Sequence, residues 1–372
     1  MSLMNVPFAD LHQQYLSLKP DIDEAIAAVI ARSAFIRGPY VEAFEESFAA
    51  AMGARHCVSC ANGTDALYIA MRALGVRPGD EVVTTAHSWI ATSETITQAG
   101  AQVVFCDTDT RTFTIDVKAL ESKITSRTVG IIPVHMAGQP ADMDAIMKIA
   151  GKHNLWVVED CAQAHLATCN GRMVGTFGAA ATFSFYPGKN LGAMGDAGAI
   201  VTGDDALAKH MGMFARHGGL VKGEHLIEGI NSRIDGLQAA ILQVKLPRLA
   251  AWTERRREIA ARYDRALGGL NALVTPWVAE GRNPVYHLYM IRHENRDALA
   301  QSLAAAGVQT VINYPTSLPF LAAYASMRAR PEDYPNAHHD QSRILSLPIY
   351  PEMTEHQVSH VIDSVTRHAT MI

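Results

Sequence analysis

Ser184-Phe185-Tyr186-Pro187-Gly188-Lys189-Asn190-Leu191-Gly192-Ala193-Met194-Gly195-Asp196-Ala197-Gly198-Ala199-Ile200-Val201-Thr202 is the stretch that decides how this chain is read. A strand-like run ends near Ser184, a Gly-rich loop carries Lys189, and apolar β-branched residues resume at Ala199. Upstream, Leu155-Trp156-Val157-Val158-Glu159-Asp160 is an apolar strand closing on an acid. A strand-end acid followed by a lysine after a later strand is what pyridoxal phosphate (PLP) asks of a protein. The lysine forms the Schiff base, and the acid keeps the pyridine nitrogen protonated so that the ring accepts electrons. Taken alone, the pair also fits a solvated loop lysine and a helix-capping aspartate. The order of the other elements has to discriminate.

Apolar runs alternate with helical patterns on either side of that stretch. The expected strands are His56–Ser59, Glu81–Thr85, Val103–Asp107, Gly130–Val134, Leu155–Asp160, Thr182–Phe185 and Ala199–Thr202. Helices are expected over Thr64–Leu74, Ile90–Ala99 and Met143–His153, with a turn at Arg77-Pro78-Gly79-Asp80. The alternation predicts an α/β fold: a mainly parallel, seven-stranded sheet with helices on both faces. Ligands of such sheets bind at the carboxyl ends of the strands, so the segments after Thr85, Asp160 and Phe185 should converge. Beyond Asn231 the pattern changes. Leu237–Leu267 reads as a long helical stretch interrupted near Pro247, followed by a strand-like Val285–Arg292 and a helix over Arg296–Ala306. This predicts a large domain over 1–247 and a smaller C-terminal α+β domain over 248–372.

Several residues extend the constellation. Asn62-Gly63-Thr64 follows a strand and opens a helix, where free N–H groups and the helix dipole suit a phosphate. An Asn-Gly turn with a Thr cap is the plain alternative. Trp89 can stack on a flat ring or simply pack. Gln163, three residues past Asp160, can reach a phenolic oxygen, and Ser184 is a second candidate phosphate ligand. The same glycines do not spell a nucleotide motif. Phe183 stands where a Walker A needs its first Gly, and Gly192, Gly195 and Gly198 are spaced by threes rather than as G-x-G-x-x-G.

Composition narrows the class. The chain has 372 residues, 48% hydrophobic and 19% charged, with net charge −5. That allows about two domains and a sizeable core, and offers no electrostatic case for nucleic acid or an anionic membrane. Arg255-Arg256-Arg257 falls in a helical pattern and reads as a solvated, partly paired face. No apolar run reaches the ~18 residues of a membrane helix, and no signal peptide is recognised. A cytoplasmic location is expected. Met1-Ser2-Leu3, ahead of Met4, are set aside from the fold reading. Five cysteines make a disulfide framework improbable. Cys57 and Cys60 form a C-x-x-C without a second pair to complete a zinc site. They lie in a strand, pointing to opposite faces, so no metal centre is expected.

Asn62–Leu67, Glu159–His165, the Lys189 stretch and Gly229-Ile230-Asn231-Ser232-Arg233-Ile234-Asp235-Gly236 together resemble the DegT/DnrJ/EryC1/StrS family, and the resemblance runs from about Pro7 to Leu345–Thr354. It implies a fold-type I PLP aminotransferase acting on a nucleotide-linked keto sugar, as in polysaccharide or antibiotic biosynthesis, with an amino-acid donor such as L-glutamate. It implies roles for Lys189 (Schiff base), Asp160 (pyridine nitrogen), Gln163 (phenolic oxygen) and Trp89 (ring stacking). Gly63, Thr64 and Ser184 would hold the phosphate. Asn231 would reach the phosphate of a neighbouring subunit, which implies a homodimer with shared sites. Ala197 stands where many relatives have Gly, and Lys189 stands where dehydratase relatives have His, which favours transamination.

Substrate contacts are read more coarsely. His217, Lys222 and His225 lie in a segment that either touches the sugar diphosphate or is a surface loop. His287 and Tyr314 fall in segments that line the cleft of relatives. The Met213–Leu242 stretch resembles members that aminate carbon 3 of the sugar more than those that aminate carbon 4. The alternatives are a C4-keto aminotransferase, a PLP-dependent dehydratase or lyase of the same fold, and a non-enzymatic regulator. The last would need a DNA-binding element, and no helix-turn-helix or basic stripe is read.

Overall fold

A computed structural model describes residues 4–371, so Met1-Ser2-Leu3 lie outside the described residues. The central sheet has seven strands: β1 (His56–Cys60), β2 (Glu81–Thr85), β3 (Gln102–Cys106), β4 (Thr128–Ile132), β5 (Trp156–Asp160), β6 (Ala180–Ser184) and β7 (Gly198–Thr202). Their order is β1-β7-β6-β5-β4-β2-β3. β7 alone runs against its neighbours β6 and β1. The other six therefore open their carboxyl ends on one edge, which sets where a ligand meets the protein.

Alternation along the strands explains the two-faced burial. Val83, Ile131 and Val157 face one core with Phe44, Phe48, Phe183 and Phe185. Val82, Ile132 and Val158 face the other with Ile69, Ile96, Ile200 and Met211. One core is covered by α2 (Pro39–Met52) and α5 (Met143–His153), the other by α3 (Gly63–Ala73), α4 (Ala91–Gln98) and α6 (Asp205–Phe214). The same alternation sends Cys57 to the first core and Cys60 to the second. All five cysteines are free thiols.

The expected sheet is present, with strand ends displaced by one to two residues at several positions. Two differences have physical causes. The run Val285–Arg292 becomes a strand only at Tyr289–His293. Before that, Val285 N–H donates to the Gly138 carbonyl (3.0 Å) and Leu288 N–H to that of Ala137 (3.3 Å), so the segment is bound to the turn that follows β4 instead. The helix expected from Ile90 begins at Ala91, which leaves Trp89 in the preceding turn. The amino-terminal helices α1 (Leu11–Ala31) and α2 were not read from the sequence. Pro20 sits inside α1 and breaks its pattern; the helix buries Leu18 and Ile22 beside Ile241.

Near Pro247, α7 (Gly236–Lys245) passes through a 3-10 turn, Leu246–Arg248, into α8 (Leu249–Leu267). α8, α9 (Arg296–Ala305) and α10 (Glu355–Ala369) pack on a three-stranded sheet of Leu273–Val274, Tyr289–His293 and Ile344–Leu347. Their shared core includes Tyr263, Tyr289, Leu299, Leu345 and Val361, and also Val6 from the amino-terminal end.

Phe48 is fully buried and meets Phe183 and Phe185 edge-on, with ring centroids 5.1 and 5.0 Å away. Phe48→Ala is expected to destabilise the fold by about 3–5 kcal/mol. Urea denaturation followed by circular dichroism checks this; an unchanged midpoint would contradict the packing described.

Candidate active site

Asp160 ends β5 and is nearly enclosed. Its backbone is fixed on both sides: its N–H donates to the Pro133 carbonyl (2.9 Å), and its carbonyl accepts from His135 N–H (3.2 Å). Its carboxylate accepts from Thr92 Oγ1 (2.8 Å) and from Ala162 N–H (3.1 Å). Lys189 lies in the loop after β6, braced by its own N–H to the Tyr186 carbonyl (2.8 Å) and by Ala193 N–H to that of Phe185 (2.7 Å). Burial pushes the Lys189 ammonium down to about 8, while the Asp160 carboxylate pulls the other way. A lysine that sheds its proton near neutrality is both a nucleophile and a base.

A phosphate cradle lies at the start of α3. Asn62 caps that helix, its side chain accepting from Asp65 N–H (2.8 Å). Among the described residues, the N–H groups of Gly63 and Thr64 have no protein acceptor. A Cβ on Gly63 would stand 2.7 Å from Ser184 Cβ, and one on Gly198 would stand 2.4 Å from the Asn62 carbonyl carbon. Only glycine permits that approach, so Gly63, Thr64 and Ser184 share one concave corner. Donors, dipole and hydroxyls there fit a phosphate monoester.

Trp89, Tyr314 and Gln163 form a second, partly aromatic group. Trp89 is 58% exposed, with its ring centroid 5.4 Å from that of Tyr314. Gln163 accepts from Ala137 N–H (2.6 Å) and donates to Tyr314 Oη (3.2 Å), leaving one amide proton for a ligand. His87 was not singled out from the sequence, yet it holds this group in place. Its Nε2 meets Tyr314 N–H and the Asn313 carbonyl, both at 3.1 Å, and its Nδ1 lies 3.0 Å from Ser317 Oγ. Nothing in the sequence marks it, because its partners lie more than two hundred residues away.

Residues 17–366 match the DegT/DnrJ/EryC1/StrS aminotransferase family. The chain belongs to this family. It is 46% identical to a pleiotropic regulatory protein of Geobacillus stearothermophilus, over 97% of this chain and 98% of that one. It is 41% identical to the dTDP-3-amino-3,4,6-trideoxy-alpha-D-glucose transaminase of Streptomyces venezuelae, over 99% and 97%. The crystal structure of S. venezuelae DesV superposes with a TM-score of 0.96 at 41% identity, covering 99% of each chain. The chain is thus a PLP-dependent aminotransferase of fold-type I, the reading the sequence suggested.

In this aminotransferase the remaining expected residues fall into two groups. His287 is half-buried, its Nδ1 3.0 Å from Oδ1 of Asn190, the residue after Lys189. Burial and the Lys189 charge hold its imidazole well below its ordinary value. Asn231, His217 and Lys222 are exposed on one surface segment. Among the described residues, no hydrogen bond or ion pair joins them to the Lys189 group. The adjoining Ser232 does make a link: it donates to Asp65 (2.7 Å) and accepts from Ala61 N–H (3.1 Å). His135, Glu159 and Cys161 offer ligand atoms within 4.8 Å of one another. Glu159 is already held by the N–H groups of Gly175, Phe177 and Gly178 and by His135, so this cluster is structural.

His165 lies fully buried between Phe48, Phe183 and Phe185. Burial, with the Lys189 cation nearby, pushes it down from 6.5 to about 3. Below about 6.5 the unfolded chain takes up a proton that the folded chain refuses. Stability from this group is therefore complete above that pH and is lost as pH falls, by ~1.4 kcal/mol per unit. His165→Leu should flatten the fall in urea midpoint between neutrality and about pH 5. An acid limb as steep as wild type would contradict a neutral His165.

Proposed function

We propose that this enzyme transfers an amino group from an amino acid, with L-glutamate as donor, to the carbon-3 ketone of a nucleotide-linked sugar. The observation that carries the reading is that Asp160 ends β5 and Lys189 follows the end of its parallel neighbour β6, where Ser184 lies against Gly63. The C3 reading draws on the S. venezuelae relative, whose name sets the amine on carbon 3. Lys189 itself supports transamination over the dehydratase alternative.

The chain's residues fit PLP. Gly63, Thr64 and Ser184 would hold its phosphate, Asp160 its ring nitrogen, Gln163 its phenolic oxygen and Trp89 one ring face. When bound, PLP supplies a carbonyl that condenses with amines and a ring that accepts electrons. Lys189 would supply the amine that holds the cofactor, and its Nζ would serve as the base that takes a proton from the donor's Cα and returns it. Asp160 would favour a proton on the ring nitrogen through its negative charge. Trp89, with Tyr314 beside it, would cover one face of the ring. His287, positioned through Asn190 beside Lys189, is a contact for the sugar, as is Tyr314.

A second copy of the chain completes the site in this reading. Asn231 would reach the partner's phosphate corner, and His217 and Lys222 the sugar diphosphate, whose charge suits a lysine. Exposed Phe35, Ile36, Leu220, Val221 and Leu226 offer apolar area for the contact. We also place the boundary between the large and small domains at Pro247.

Three measurements test this. The visible absorption band of the holoenzyme is expected to disappear with excess L-glutamate, with stoichiometric 2-oxoglutarate formed; a band that ignores glutamate would reject that donor. Lys189→Arg keeps a positive charge but is expected to lose turnover by at least about three orders of magnitude. Turnover near wild type in that variant would reject the mechanism. With a matched pair of keto sugars, the 3-keto compound should react faster, and the opposite ranking would overturn the carbon assignment.

A further inference from the structure

α4 carries Thr92, Ser93, Thr95 and Thr97, and three of these hydroxyls are spent on their own helix. Ser93 donates to the Ile90 carbonyl (3.0 Å), Thr95 to Ala91 (2.8 Å) and Thr97 to Glu94 (2.8 Å). Thr92 does not follow them. Its Oγ1 leaves the helix and meets Asp160 Oδ2 at 2.8 Å, while Ser88 Oγ approaches the same Thr92 oxygen at 3.1 Å. Ser88, Thr92 and Asp160 are 4%, 1% and 6% exposed, so water does not compete for these contacts.

The direction of the contacts follows from proton counting. A carboxylate can only accept, and a hydroxyl has one proton. Thr92 therefore donates to Asp160, and Ser88 must donate to Thr92. Two dipoles line up head to tail and end on the carboxylate.

We propose that Thr92 is a positioning residue for Asp160, backed by Ser88, and that the aligned hydroxyls keep the proton shared with the cofactor on its ring nitrogen. The proposal rests on the PLP reading above. Hydrogen bonds to the charged form of an acid stabilise that form, and each donor polarises the next. Without Thr92 the carboxylate becomes more basic and draws the shared proton towards itself. The ring then loses part of its electron demand. Thr92 also fixes the rotamer that aims Oδ1 and Oδ2, with Ala162 N–H as the other brace.

The test uses holoenzyme loaded with PLP carrying 15N in the ring, whose nitrogen resonance separates protonated from neutral rings without turnover. Wild type and Thr92→Ser are expected to show a protonated nitrogen across the stable pH range. Thr92→Val, nearly isosteric, is expected to move the signal towards neutral, with Ser88→Ala in between. Pyridoxamine phosphate should bind Thr92→Val roughly 10-fold more weakly, as for loss of a hydrogen bond to a charged group. A wild-type nitrogen shift in folded Thr92→Val overturns the proposal. Should Thr92→Val fail to fold, a wild-type shift in Ser88→Ala overturns it, and an intermediate shift there supports it. A neutral ring or no bound ring in wild type overturns the cofactor reading, and this proposal with it.

Discussion

A carboxylate at the end of a buried strand is the constraint on which the rest of this site depends. Removing such a charge from water costs several kcal/mol unless donors replace the lost solvent. At Asp160 the donors come from Thr92 on α4 and Ala162 in the loop that follows. Its backbone is tied to Pro133 and His135 after β4. Three segments distant in sequence thus meet at one residue, and each brings a wall of the cleft. Trp89 arrives with α4, Ala137 and its contact to Gln163 with the β4 loop, and Gln163 with the loop from Asp160 itself.

The residue before Asp160 shows why that position is held so firmly. Alternation turns Glu159 to the opposite face of the sheet. There it is fully buried and accepts from three backbone N–H groups and His135. His135 in turn accepts from Ala141 N–H at 3.0 Å. Adjacent acids on one strand therefore divide the work. Glu159 binds β5 to the loop before β6 and to the segment after β4, and Asp160 is left on the face that meets Thr92. A slip of one residue in register would exchange them, placing the satisfied acid in the cleft.

The parts of this arrangement that obey a local period were legible. Apolar runs of four to six residues between helical patterns marked the parallel sheet, with Asp160 closing one of them and Lys189 in the loop after another. Asn62-Gly63-Thr64 carried a helix-start signal, and the structure places that turn against Ser184. What the sequence hid was long-range or context-bound. His87 holds Tyr314 across more than two hundred residues, a contact that no spacing along the chain announces. Thr92 reads as one more hydroxyl in a polar helix, and only its distance from Asp160 separates it from Thr95. The Val285–Leu288 run looked like a strand because it is apolar. It stays irregular because its N–H groups bond to Ala137 and Gly138, with Tyr286 at φ 45°. α1 was missed because a proline sits mid-helix, where propensity argues against it and packing against α7 prevails.

Lys189 brings these strands together. Burial alone would strip its proton, and Asp160 alone would retain it; the balance leaves it at about 8. The same ammonium is felt by His165 on one side and His287 on the other, and both imidazoles are held neutral by burial and that charge. Neutral rings beside a lysine leave Asp160 as the countercharge among these groups. Among these groups the charge on Lys189 is thus opposed by Asp160, itself braced by Thr92. Whatever alters the Asp160 charge therefore alters how firmly Lys189 holds its proton.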